Sequence, residues 1–162
     1  MIIGEKELRK MYPELDDDQY QPNSIDLKLG KIYIIDDTFP ITDISVGIYN
    51  GTKFIPPKTE LKPNSSNIYE LKPNIPYWIQ IEPIMSIEED IAQFYLPRSS
   101  LLRMGVTLHT ALGDSGFNGH LLFLAINHTP YNINLAKGER IATAINFEVD
   151  DAGLYDGDYN EY

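Results

Sequence analysis

The chain has no cysteine, only three histidines, only four arginines and no long apolar run. Without cysteine there are no disulfides and no thiolate metal sites, although that absence alone does not fix the compartment. The histidines, His109, His120 and His128, show no usual metal-ligand spacing. Nothing approaches the ~20 consecutive apolar residues of a membrane-spanning helix. The opening MIIGEKELRK carries charge where a secretory signal needs its apolar region. Positive charge is scarce overall: 13 Lys and Arg stand against 24 Asp and Glu, a formal net charge of −11. Such a field disfavours DNA and anionic membranes as partners, yet allows a small anion held by a local basic cluster. What is present is 162 residues, 43% hydrophobic, with a mean hydropathy of −0.27. That describes one soluble, intracellular (cytoplasmic) domain large enough to bury a core.

Residues 4–11, GEKELRKM, predict one short N-terminal helix, ended by Pro13. Thereafter no long helical period occurs. In QPNSIDLKLG, Ile25, Leu27 and Leu29 alternate with Ser24, Asp26 and Lys28, the pattern of a half-buried strand. KIYIID, YWIQIEP, IAQFYL, GVTLHT, HLLFLAIN, YNINL and ATAINFEV read as further strands, separated by Pro, Asn and Gly clusters such as IPPK, KPNSSN and KPNIP. Serines after Arg98 suit the cap of one further helical turn. Many short strands joined by turns predict an all-β sandwich or barrel, without internal repeat or linker. Residues 1–149 form the expected domain. Residues 150–162 form an acidic tail, since residues 148–162 carry six acids and no base; it is expected to be solvated and mobile.

Four stretches concentrate chemistry. PRSSLLRMG holds Arg98 and Arg103, two of the four arginines, around Ser99 and Ser100. Guanidinium forks suit phosphate and carboxylate, and the serines offer hydroxyls and backbone N–H groups to the same anion. LGDSGFNGH sets Asp114 and Phe117 among three glycines, a turn that lets a ligand approach the backbone. A lone carboxylate there is a candidate general base for water. AKGERIATAINF places Arg140 at a turn before an apolar strand. QPNSIDLKLG puts Asp26 on the polar side of its strand, where a solvated carboxylate is the plain reading. Each signal is weak singly.

Taken in order, these four stretches resemble the trimeric dUTP pyrophosphatase and dCTP deaminase superfamily. QPNSIDLKLG is similar to its QPASVDLRLG pattern, PRSSLLRMG to GRSSLARLG, GDSGFNGH to the D-x-G-[FW]-x-G hairpin, and KGERIATAINF to PGERIAQ. The similarity runs from the N-terminal helix to about Val149. The resemblance implies a distorted β-barrel or jelly-roll-like subunit in a homotrimer, with active sites shared between chains. It also implies a deoxyribonucleoside triphosphate, most simply dUTP, bound with Mg²⁺ carried mainly by its phosphates. Arg98, Ser99, Ser100, Arg103 and Arg140 would then meet the triphosphate. The backbone of Ala111 to Gly113 would read the base, Phe117 would pack under the deoxyribose, and Asp26 would support water or metal from behind.

The two chemistries of that superfamily separate at one position. Deaminases use a glutamate on the strand after the hairpin; counting from Asp114 and Gly119, it falls on Leu124, and residues 115–138 hold no carboxylate. In pyrophosphatases the hairpin aspartate, matched by Asp114, activates water against the α-phosphorus. The resemblance therefore implies a dUTP pyrophosphatase on a deaminase-type scaffold, with dCTP deamination or non-catalytic deoxynucleotide binding as alternatives. Two departures stand out: Thr143 replaces the motif's glutamine, and the Gly-rich pyrophosphatase tail is absent. Acids facing a triphosphate repel it, so the tail is expected not to act as a lid, and its removal to leave turnover within a few-fold.

Overall fold

The computed structural model describes residues 1–36 and 47–160. Helix α1, Glu5–Met11, has Glu5 and Glu7 in its first turn and Arg9 and Lys10 in its last, charges that match the helix dipole. It buries Leu8 and stops at Tyr12, ahead of Pro13. Helix α2, Ser99–Arg103, is the second expected helical turn, anchored by buried Leu101.

A 3₁₀ turn follows α1 at Asp17–Gln19, and the rest of the described residues form strands, turns and loops. The first strands are β1 (Tyr20–Gln21), β2 (Ser24–Ile35), β3 (Gly47–Tyr49), β4 (Thr52–Phe54) and β5 (Lys58–Leu61). Next come β6 (Ile68–Leu71), β7 (Pro76–Glu82), β8 (Met85–Ser86), β9 (Ile91–Pro97) and β10 (Val106–His109). The last are β11 (Asn118–Gly119), β12 (Leu122–Asn127), β13 (Ile133–Ala136) and β14 (Arg140–Glu148). The main sheet runs β10-β12-β7-β2-β14-β9, and its edges β9 and β10 approach each other, so it nearly closes into a barrel. Its core is aliphatic, with Ile25, Leu27, Leu29, Ile32, Ile79 and Ile81 wholly buried. The all-β, barrel-like architecture expected from the sequence is the one observed.

Two expectations change. QPNSIDLKLG and KIYIID are one continuous strand, β2; the ladder to β7 shifts register between Leu29 and Lys31, where Gly30 interrupts the apolar alternation. Strand β2 is also buried on both faces at its start, so Ser24 and Asp26 lie inside with Ile25 and Leu27. Among the described residues no helix is long and apolar enough to cross a membrane.

Candidate active site

The hairpin half of the site starts at Gly113. Its N–H donates to Gln93 O and its carbonyl accepts from Gln93 N–H, both at 2.9 Å. Gln93 is itself fixed: its side-chain amide donates to Tyr12 Oη and Asn146 Oδ1, and Tyr95 Oη donates to its Oε1 at 2.7 Å. Burial first, then Tyr12 and the carboxylate of Asp114, push the Tyr95 hydroxyl well above the usual phenol range, so it stays a donor. That hydroxyl sits where a Cβ on residue 113 would fall, and glycine is the one residue that admits it. The Gly113 N–H is thus already donated, whereas Ala111 and Leu112 beside it are exposed.

Beyond Gly113 the chain turns. Phe117 N–H donates to Asp114 O, Gly116 N–H to Ile87 O, and Ile87 N–H returns to Phe117 O at 2.8 Å. Ser115 is buried and donates from Oγ to Ile91 O. This lattice carries Asp114 to the wall of a cavity of about 450 Å³, facing Phe117, Trp78, Tyr95 and Tyr155. The Asp114 side chain is exposed, and among the described residues no donor pairs with it. An unpaired carboxylate beside aromatic walls is free to take a proton from water. Phe117, 8% exposed, lines the same cavity.

The arginine half is built around Asp26, which is 2% exposed rather than solvated as its strand position suggested. Arg98 Nε lies 3.0 Å and Arg140 Nη1 3.4 Å from its Oδ2, while Thr143 Oγ1 donates to Oδ1 at 2.8 Å. Thr143 stands opposite Asp26 in the β14–β2 ladder, so the shorter side chain that departs from the motif is the length that reaches it. A carboxylate taken out of water needs such partners. Arg140 also donates to the Asp18 carbonyl and pairs with its carboxylate at 3.4 Å. Arg98, Ser100 and Arg140 line one groove of about 390 Å³. Ser99 and Ser100 are exposed in α2 and do not cap it, contrary to the expectation; Arg98 holds the N-cap position, without a side-chain bond. Arg103 is exposed and, among the described residues, has no carboxylate partner, whereas Arg9, Arg98 and Arg140 each have one.

One chain thus gathers the predicted residues into two groups, not one. Asp114, Phe117, Ala111 and Gly113 line the first cavity; Arg98, Ser100 and Arg140 line the second. Leu124 lies on β12, between Trp78 and His109 in the ladders, and no carboxylate replaces it. Sequence reasoning missed Gln93, Tyr95, Trp78 and Asp18. Gln93 and Tyr95 occupy inward positions of an apolar strand, where their polar atoms were the available signal. The tail, read as a solvated segment, carries contacts: Tyr155 N–H donates to Ser115 O at 2.8 Å, and Asn118 N–H to Asn160 Oδ1 at 2.9 Å.

A family model described as dCTP deaminase-like matches residues 2–148. The chain is 42% identical over 159 residues to the probable deoxyuridine 5′-triphosphate nucleotidohydrolase of Methanopyrus kandleri, covering 98% of this chain and 99% of that one. It is 39% identical to the protein of the same description in Methanothermobacter thermautotrophicus, over 99% of this chain and all of that one. Identity to the deoxyuridine 5′-triphosphate nucleotidohydrolase of Methanocaldococcus jannaschii is 32%, over 98% of both chains. In fold it is similar to the 2′-deoxycytidine 5′-triphosphate deaminase of Agrobacterium tumefaciens, at a TM-score of 0.68 and 20% identity. That match covers 90% of this chain but spans about half (47%) of the other. With the four motifs on the elements that carry them and the family model matching nearly end to end, the chain belongs to the dCTP deaminase-like family.

Proposed function

We propose that this protein is a dUTP pyrophosphatase, hydrolysing dUTP to dUMP and pyrophosphate. The observation that carries the reading is Asp114, an exposed carboxylate, unpaired among the described residues, on the wall of a nucleoside-sized cavity, with leucine at the deaminase position. The 42% and 39% identical relatives, described as dUTP nucleotidohydrolases, point the same way.

In this reading Phe117 packs against C2′ of the deoxyribose, leaving no room for a ribose 2′-hydroxyl. Asp114 accepts a proton from a water whose oxygen forms the new bond to the α-phosphorus, as the bridging bond to the β-phosphate breaks and pyrophosphate leaves. The oxyanions need positive charge that is already in place. Arg98 and Arg140 are oriented by Asp26, Ser99 and Ser100 supply hydroxyls, and Arg103 brings an arginine charge that has no carboxylate beside it among the described residues.

Arg98 and Arg140 line a different cavity from Asp114, so the reading needs a second chain. The outer face of β9 and the end of α2 expose Phe94 (54%), Leu96 (52%), Leu102 (62%) and Met104, beside Arg98 and Arg103. Apolar exposure on that scale suits a covered interface. A homotrimer that seats one chain's arginines on its neighbour's hairpin completes the site, and sedimentation is expected to give about three times the 18.5 kDa chain mass. An active monomer would contradict the shared site.

Mg²⁺ fits this arrangement as a passenger of the substrate. Among the described residues no cluster of three or more His, Cys, Asp or Glu could cage it, and Mg²⁺ is commonly held by phosphates, water and one or two carboxylates. Bound so, it would neutralise part of the triphosphate charge. A cytoplasmic location, beside the nucleotide pool, belongs to the same reading.

The test is incubation with each dNTP and Mg²⁺, with chromatography of the products. dUTP is expected to give dUMP and pyrophosphate, and dCTP no ammonia, since no base lies at residue 124. Deamination of dCTP, or binding without turnover, would each reject the reading.

A further inference from the structure

Residues 154–160 lie along the hairpin of their own chain, on both flanks of Phe117. On one flank Tyr155 N–H bonds Ser115 O, and on the other Asn160 Oδ1 accepts from Asn118 N–H. Between these two ties the Tyr155 ring meets Phe117 edge to face, with centroids 5.5 Å apart and planes at 75°. Tyr155 is half-buried and lines the same cavity as Asp114 and Phe117. The ring reaches this position by folding back over Gly157, where any side chain would run into it. Asp156 and Asp158 are exposed, so their charge stays in water while the aromatic ring makes the contact. The acidic composition of the segment therefore does not oppose its docking.

We infer that Tyr155 is a positioning residue that fixes the Phe117 ring, and through it sets the preference for deoxyribose over ribose. The inference rests on the hydrolase reading given above. Phe117 rejects a 2′-hydroxyl only while its ring cannot retreat, and the hairpin that bears it is a short turn closed by Ile87 on one side. Tyr155 closes the other. An edge-to-face pair suits this purpose, because the positive ring edge meets the negative face in one preferred orientation. Loss of the tyrosine ring leaves Phe117 free to tilt and admit a ribose. The expectation that removing residues 151–162 leaves turnover within a few-fold concerns a different quantity: in the dUTP-over-UTP ratio, truncation should reproduce the loss of Tyr155.

The experiment compares kcat and KM for dUTP and UTP in the wild type, Tyr155→Ala, Tyr155→Phe and Gly157→Val. Tyr155→Ala is expected to reduce the dUTP-over-UTP ratio of kcat/KM about tenfold or more, the discrimination carried by a small steric difference in a packed pocket. Tyr155→Phe keeps the ring edge and should keep the ratio. Gly157→Val alters no cavity-lining residue and should lower the ratio as Tyr155→Ala does, by displacing the ring. Amide exchange at residue 155 and at Asn118, the two donors of these ties, should quicken in the same two variants. A wild type that hydrolyses dUTP, with an unchanged ratio in Tyr155→Ala and Gly157→Val, overturns the positioning role and leaves the hydrolase reading intact. Equal losses in Tyr155→Phe and Tyr155→Ala also overturn it, because the hydroxyl would then be the acting group. A wild type inert towards dUTP removes the hydrolase reading and this inference together.

Discussion

Asp114→Asn is expected to lower dUTP turnover by about 100-fold or more, the scale of a lost general base, with little change in nucleotide affinity. The substitution preserves shape, and the native carboxylate has no partner among the described residues whose loss could unsettle the hairpin. That hairpin is held instead by the backbone pair of Gly113 with Gln93 and by Ile87 on Phe117 and Gly116. The amide cannot take the proton, so the loss should fall on kcat. Steady-state kinetics beside calorimetric titration of a non-hydrolysable dUTP analogue separate the two quantities. A variant that keeps most of its turnover would rule out Asp114 as the base.

Asp26→Ala is expected to be the most destabilising change at the site, costing about 3 kcal/mol, the low end for removing one partner of a buried ion pair. Asp26 is inaccessible, while the Arg98 and Arg140 side chains it holds are 30% and 26% exposed. Both guanidinium groups reach water, which moderates the loss. Thr143 Oγ1 would also lose its acceptor, and the shortened side chain leaves a gap between β2 and β14. The urea midpoint measures the cost, and kcat/KM for dUTP should fall as well because the two arginines proposed to meet the phosphates lose their anchor. Asp26→Asn preserves volume and an acceptor for Thr143, so it should recover most of the stability but not the activity. Wild-type stability in Asp26→Ala would show that the carboxylate does not organise the arginines.

The parts of this site that the sequence makes legible are those whose residue types are unusual for their surroundings. Arg98, Arg103 and Arg140 stand out in an acidic chain, and Asp114 among glycines marks both a turn and a candidate base. Alternation exposes the strands, and Pro13 marks the end of α1. Less legible is whatever depends on a distant partner. Asp26 reads as solvated because its polar neighbours in sequence alternate with aliphatics; its burial comes from Arg98 and Thr143, 72 and 117 residues away. The network that steadies Gly113 joins Tyr12, Gln93 and Asn146 across 134 residues. In the tail, the count of acids averages over side chains that face different ways, and hides one tyrosine that faces the hairpin.

Hydrolysis of dUTP in ¹⁸O-labelled water, with mass analysis of both products, tests the central claim most directly. Attack on the α-phosphorus by water held at Asp114 places one labelled oxygen in dUMP and none in pyrophosphate. Label in pyrophosphate would place the attack on the β-phosphorus and contradict the account, as would dUTP recovered intact.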